Sequence, residues 1–277
     1  MADKSITSVS VATSTLLLLI AISMTVADGV RMAYAQVSGD SGECVGHTIE
    51  RGNFDDDGDD EVRVDGTVYN NGDSITLDGK TYTVRIATSA PFIGTTGDDF
   101  IVGTTGDDYI YGKEGDDFIV GLEGNDNLYG DRLDGGDGDD TLQGGNDILC
   151  GNDGDDSLYG DYIDGGDGND TITGGNDTLY GGDGYDVLYG DGIWGGSDAD
   201  TITGGNDTLD GGDGDDNLAG DDIFGDDGND TITGGNDTLY GGAGDDWLSG
   251  DDIYGEGDDD TITGGNDTLD GGDGDDN

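Results

Sequence analysis

The chain has 277 residues, of which 66 are acidic and 8 basic, giving a formal net charge of −58 at pH 7. Residues 94–277 hold 52 of the acids against only Lys113 and Arg132, a net charge of −50 for that segment. So large an excess excludes nucleic acid, anionic membrane and other polyanions as direct partners by repulsion, and makes cations the natural ligand.

The first 35 residues read as a secretory signal peptide. Lys4 precedes an apolar stretch that includes residues 16–22, and Ala33-Tyr34-Ala35 before Gln36 has the small-x-small pattern of a cleavage site. The continuous apolar run is short for a retained membrane anchor, and Ala27 is an alternative cleavage point. No second apolar segment follows, so the mature product is expected to be secreted, extracellular or at the cell surface, with no membrane span after signal cleavage.

Residues 36–93 differ in pattern. Short alternating runs at 61–64, 67–69, 74–77 and 81–87, separated by Asp65-Gly66, residues 70–73 and Asp78-Gly79, predict a small antiparallel β unit. It is too small for an independent enzyme and suits a cap over the first coil of a repeat stack. Within it, Asn53, Asp55 and Asp57 alternate as in a DxDxDG calcium loop, although Val64 stands where the twelfth-position glutamate belongs; a solvated acidic turn is the alternative. Cys44 and Cys150 could pair in an oxidising compartment. Yet Cys150 occupies the outward position that Tyr180, Asp210 and Tyr240 fill in later copies, which reads as an incidental substitution.

From Gly94 onward the unit is Gly-Gly-x-Gly-x-Asp-x-(Ile/Leu)-x, clean at 135–143 and again at 165–173, 181–189, 211–219 and 241–249. Turn glycines allow left-handed backbone and leave carbonyls uncovered, the aspartate brings a hard anionic oxygen, and the hydrophobe two places on supplies the core. An acidic, glycine-rich chain without this regularity would be expected to stay disordered. Four nonapeptides start at Gly94, Gly103, Gly112 and Gly121; from Gly130 units of five, nine, seven and nine residues alternate as a super-repeat of 30. If every unit is a half-coil, the nonapeptides fall on one regular flank and the short units on the other; loop insertion at residues 160–164 and its copies would scramble the flanks.

This nonapeptide resembles the haemolysin-type (RTX) calcium-binding repeat family over residues 94–277. The resemblance implies an all-β fold, a right-handed parallel β-roll (a β-helix solenoid), here preceded by the small antiparallel β segment. It also implies multiple Ca2+ ions as cofactor. Each would be held by the sixth-position aspartates of flanking turns and by carbonyls of the turn glycines and third residue. The aspartates on the regular flank are Asp108, Asp126, Asp140, Asp156, Asp170, Asp186, Asp200, Asp216, Asp230, Asp246, Asp260 and Asp276, with Asp99 and Asp117 forming one site on the other flank. The accompanying turn positions include Gly135, Asp137 and Gly138; Gly151, Asp153 and Gly154; Gly165, Asp167 and Gly168; Gly181, Asp183 and Gly184; and Gly211, Asp213 and Gly214.

Electrostatics agrees with the resemblance. Coils stack about 4.8 Å apart, and two carboxylates at that spacing repel by about 1 kcal/mol in water and about 3–4 kcal/mol at an effective dielectric of 20. Calcium, with six to eight oxygen ligands, reverses the sign, whereas magnesium demands a smaller octahedron and keeps its water. Folding and binding then become one equilibrium. Asp198 and Asp258 replace fourth-position glycines and are expected to distort their turns. Asp131, Asp161, Asp191, Asp221 and Asp251, and pairs such as Asn176-Asp177, read as weak or absent sites because their turns are short.

Catalysis has little to draw on. His47 is the only histidine, HExxH and GxSxG are missing, and Gly39-Asp40-Ser41-Gly42 has no enzyme fold around it. Threonine ranks such as Thr171 and Thr173 are interrupted by other residues in intervening units, so they do not suggest an ice-binding array. Outward Tyr159, Tyr189, Tyr240 and Tyr254 offer contacts to a cell-surface glycan or protein partner. The pattern stops at Asn277 in mid-repeat, as in a truncated product. The sequence therefore predicts a secreted, calcium-dependent structural, surface or adhesive repeat protein with no catalysis of its own. The alternative is the calcium-binding portion of a larger secreted hydrolase or toxin.

Overall fold

A computed structural model describes residues 44–52, 54, 60–226, 228–256 and 259–277. The expected signal peptide, residues 39–42, the acidic-loop positions 53, 55 and 57, and residue 258 lie outside the described residues. Every element among the described residues is a β-strand, and the repeat segment is a parallel β-solenoid.

The coil changes size along the chain. Early coils are two-sided: Phe100 pairs with Phe118 and Tyr109 with Asn127, an offset of 18 residues. Beyond them Asn127 pairs with Ser157, Thr141 with Thr171 and Ile148 with Thr178, an offset of 30. One such coil begins with the long strand Ser157–Asp164, turns through residues 165–170 into Thr171–Thr173, and passes the link 174–177 into Thr178–Asp183. The long strands form a seven-stranded sheet, and two narrower sheets, of five and nine strands, complete the coil.

The half-coil scheme is therefore corrected. Residues 160–164 make no turn, because Ser157–Asp164 runs through them and stays paired on both sides. A reversal there would leave buried backbone groups unpaired. Leu158 and Ile163 are five apart, one residue more than strict alternation allows; the extra residue is absorbed at Gly160-Asp161, and both hydrophobes, like Asp161, are fully buried. The nonapeptides 165–173 and 181–189 consequently sit at opposite edges of the same coil.

Two apolar columns fill the interior. Leu128, Leu149, Leu158 and Leu179 belong to one, and Ile163, Ile172, Ile193 and Ile202 to the other. Outside the long sheet, aromatic side chains stack coil upon coil, with centroids 5.0 Å apart for Tyr129–Tyr159 and Tyr159–Tyr189 and 4.9 Å for Phe224–Tyr254.

At the N-terminal side, Ile49–Gly52, Glu61–Val64 and Thr67–Asn70 form an antiparallel sheet, and Ser74–Leu77 pairs with Lys80–Ile86 as a hairpin. Lys80–Ile86 then pairs in parallel with Asp99–Val102, covering the edge of the first coil. This unit also covers the outward side chains of the first coils: Phe100, Val102, Phe118 and Val120 are buried with Val62, Val64, Ile75 and Tyr82. Strands buried on both faces read as continuous apolar runs, which is why Phe-Ile-Val stands here and Thr-Leu-Tyr or Thr-Leu-Asp stands at the matching positions of later coils. Cys150, next to Val120 in this sheet, forms a disulfide with Cys44 across 106 residues of sequence. The incidental-substitution reading fails because its outward position lies under the N-terminal unit rather than in solvent.

Two stability outcomes follow. Reduction, or Cys44→Ser with Cys150→Ser, should lower stability by about 2–4 kcal/mol in denaturant titrations at saturating calcium. Gly175→Ala should be far more damaging than Gly136→Ala. A Cβ at Gly175 would strike the carbonyl oxygen of Gly145 in the neighbouring coil, whereas at Gly136, with φ of 84°, it meets nothing within 4 Å and only the backbone conformation is strained.

Candidate metal centre

The aspartates line up in three columns. One edge carries Asp108, Asp126, Asp156, Asp186, Asp216, Asp246 and Asp276, and the other carries Asp140, Asp170, Asp200, Asp230 and Asp260. The expected single row of sixth-position aspartates is thus split between two edges. A third column begins at Asp99 and Asp117 and continues as Asp147, Asp177, Asp207, Asp237 and Asp267. In the early coils this third column is an outer edge. When the coil widens, the Ile column is added beyond it and the edge becomes interior.

All three columns share one device. Each aspartate N–H donates to Oδ1 of the aspartate one coil on, at 2.8 Å for Asp156 to Asp186, 2.8 Å for Asp170 to Asp200 and 2.7 Å for Asp147 to Asp177. The other oxygen, Oδ2, is buried without a hydrogen-bond partner at Asp126, Asp156 and Asp186 on one edge, at Asp140, Asp170 and Asp200 on the other, and at Asp117, Asp147 and Asp177 in the middle. A desolvated carboxylate oxygen with no donor is costly unless a cation meets it.

Burial is the largest influence on these groups. It pushes the Asp117 and Asp186 carboxyls up to about 8 and Asp126 up to about 7, with neighbouring aspartates adding repulsion and backbone N–H donors opposing it. Asp147, Asp177 and Asp207 are raised well above the ordinary range for the same reason.

At the start of the third column the protein supplies its own cation. Arg85 Nε donates to Asp99 Oδ1 at 3.0 Å, while Thr95 donates to Oδ2 through its N–H and hydroxyl. Lys80 meets Asp116 and Asp98 beside it. Among the described residues no other Lys, Arg or His forms an ion pair with the columns.

The turn backbones are stacked as well. Gly138 N–H donates to the Asp167 carbonyl, Gly154 to Asp183 at 2.9 Å and Gly184 to Asp213 at 2.8 Å. A carbonyl has two lone pairs, so each third-position oxygen keeps one for an ion. Asp198 takes up a φ of 97°, the left-handed conformation of the glycine it replaces, so its turn keeps its shape at some strain.

The short units hold what sequence reasoning missed. Asp131, Asp161, Asp191 and Asp221 are fully buried rather than exposed in loose turns. The signal was present in the odd spacing of five between inward hydrophobes, which turns Gly160-Asp161 into the coil. The exposed Asn146, Asn176, Asn206 and Asn236 form an amide ladder, Nδ2 to Oδ1 at 2.9 Å from Asn176 to Asn146 and 2.8 Å from Asn236 to Asn206.

Stacked coils and columns of uncompensated carboxylates define a metal-binding parallel β-solenoid. The profile of the RTX calcium-binding nonapeptide repeat matches this chain in successive segments from residues 93–128 to residues 249–277, and the chain belongs to that family. A search of curated proteins found no match. Family and carboxylate clusters together support Ca2+ as the ion. The residues fit it: hard anionic oxygens lacking donors, with free carbonyl lone pairs beside them.

Raised carboxyl values in the folded chain mean that the metal-free fold holds more protons than the unfolded chain. Its stability is then fully present below the ordinary aspartate value of 3.8 and is lost as pH rises through about 6 to 8. Far-ultraviolet circular dichroism of metal-stripped protein should show strand signal at acid pH that disappears across that window. A signal that strengthens with rising pH would contradict it.

Proposed function

We propose that this is a secreted calcium-dependent repeat protein that folds when it binds calcium and serves a structural, surface or adhesive role without catalysis of its own. The observation that carries this reading is the run of buried Oδ2 atoms without donors in the three aspartate columns, at Asp126, Asp156, Asp140, Asp170, Asp147 and Asp177 among others, with protein cations, among the described residues, only at the first coil. Calcium removes the repulsion, joins one coil to the next and makes the folded state conditional on the ion. Outside the cell, where calcium is abundant, the protein is folded; in a low-calcium interior it stays extended and exportable.

The Cys44–Cys150 disulfide supports an oxidising, extracytoplasmic setting. No helix among the described residues is long and apolar enough to cross a membrane. The sixth-position aspartates of both edges, with Asp99 and Asp117, are the proposed ligands, together with carbonyls of the turn glycines and third residues. A role at the surface draws on the long sheet, where the stacked aromatics ending in exposed Tyr254 present flat rings to a glycan or protein.

Calcium titration of the full chain, followed by circular dichroism, tests the proposal. Coil should convert cooperatively to strand as calcium rises to submillimolar or millimolar levels, chelator should reverse it, and magnesium should fail at equal concentration. Full strand content in excess chelator at pH 7.5 would overturn it.

A further inference from the structure

The nonapeptide edges do not account for all of the buried charge among the described residues. Asp161 of the long strand and Asp177 of the link 174–177 point at each other across the coil, between the Leu and Ile columns. The neighbouring coil brings Asp191 to the same place. Oxygens of these three carboxylates lie within 4.8 Å of one another, and the arrangement recurs as four triads: Asp131-Asp147-Asp161, Asp161-Asp177-Asp191, Asp191-Asp207-Asp221 and Asp221-Asp237-Asp251.

Each carboxylate spends one oxygen on the backbone and leaves the other bare. Asp161 Oδ2 accepts from Gly175 N–H at 2.5 Å and Asp177 Oδ1 from Asp147 N–H at 2.7 Å. Asp161 Oδ1 and Asp177 Oδ2 are buried, have no hydrogen-bond partner and face the triad, and both residues are at most 1% exposed. The glycines opposite keep the space clear, since a Cβ at Gly160 would overlap the Asp177 carboxylate and one at Gly174 the Asp191 carboxylate. At its head the same line of aspartates meets a guanidinium, Arg85 against Asp99.

We propose that the four triads form an internal column of calcium sites, separate from the nonapeptide edges and built from aspartates of the five- and seven-residue units. Charge selects a divalent ion. The triads share three carboxylates and so contain nine, against which four divalent ions supply eight positive charges, whereas four monovalent ions would leave five carboxylates uncompensated. Oxygens up to 4.8 Å apart fit opposite sides of an ion with bonds of about 2.4 Å, longer than magnesium accepts. Every second carboxylate contacts two ions, so the column cross-links all the wide coils through their centre and divides the interior into its two apolar halves. This rests on the calcium reading above, with which it shares the ion but not the ligands.

The test is the number of calcium ions retained per full-length chain, measured by native mass spectrometry at saturating calcium, with circular dichroism as the check on fold. Asp191 belongs to two triads and Asp251 to the last one alone. Asp191→Asn should therefore lose two ions relative to the wild type, and Asp251→Asn one. An unchanged count in variants that keep their strand signal would overturn the internal column and leave protons bridging these carboxyls instead. Loss of the fold in Asp251→Asn at saturating calcium also supports the column, because asparagine mimics a protonated carboxyl and a proton-bridged row would tolerate it. A wild-type chain that retains no calcium would sink the calcium reading as a whole, whereas a calcium-rich wild type with undiminished variants sinks only the internal column.

Discussion

The whole solenoid depends on carboxylates stacked one coil above another with one oxygen on the backbone and one left bare. The N–H to Oδ1 ladder, repeated from Asp108 to Asp276 on one edge and from Asp99 to Asp267 through the interior, fixes the vertical register of the coils. The bare Oδ2 atoms make that register unfavourable without cations, because a desolvated charge is worth far less inside the protein than in water. A single structural choice therefore both builds the fold and makes it conditional.

Hydrophobic burial plays a supporting part. Each wide coil contributes four inward Leu or Ile side chains, and the carboxylate line separates them into two columns rather than one continuous core. The N-terminal unit is different, since it closes a conventional cluster with the first coils, in which Phe118 meets Phe100 and Tyr82 edge to face, and a disulfide ties it to the roll. It supplies to the first coil what neighbouring coils and ions supply elsewhere: strand pairing through Lys80–Ile86, apolar cover, and positive charge through Arg85 and Lys80.

Much of this was legible in the primary structure. The strands at 61–64 and 74–77 are where alternation and turn pairs put them, and the inward Ile and Leu two residues after the turn aspartates are buried from Ile101 through Leu239, except for the partly buried Leu133 and Leu142. These are local consequences of a turn followed by a strand. Cys150 was harder, since its outward position in a repeat says nothing about a separate unit covering it. The apolar Phe-Ile-Val triplets were the available sign that the first coils are buried on both faces.

The sequence by itself determined the ion chemistry and the unit of structure, because a glycine turn, its aspartate and the following hydrophobe act within nine residues of one another. Only the tertiary structure decided how those units are arranged. Whether Gly160-Asp161 reverses the chain or lies inside a strand depends on partners 30 residues away in the coils on either side. Running straight keeps the backbone paired, moves the two nonapeptides of each repeat to opposite edges and turns the short-unit aspartates inward. That outcome depends on pairing between coils, which no single repeat contains.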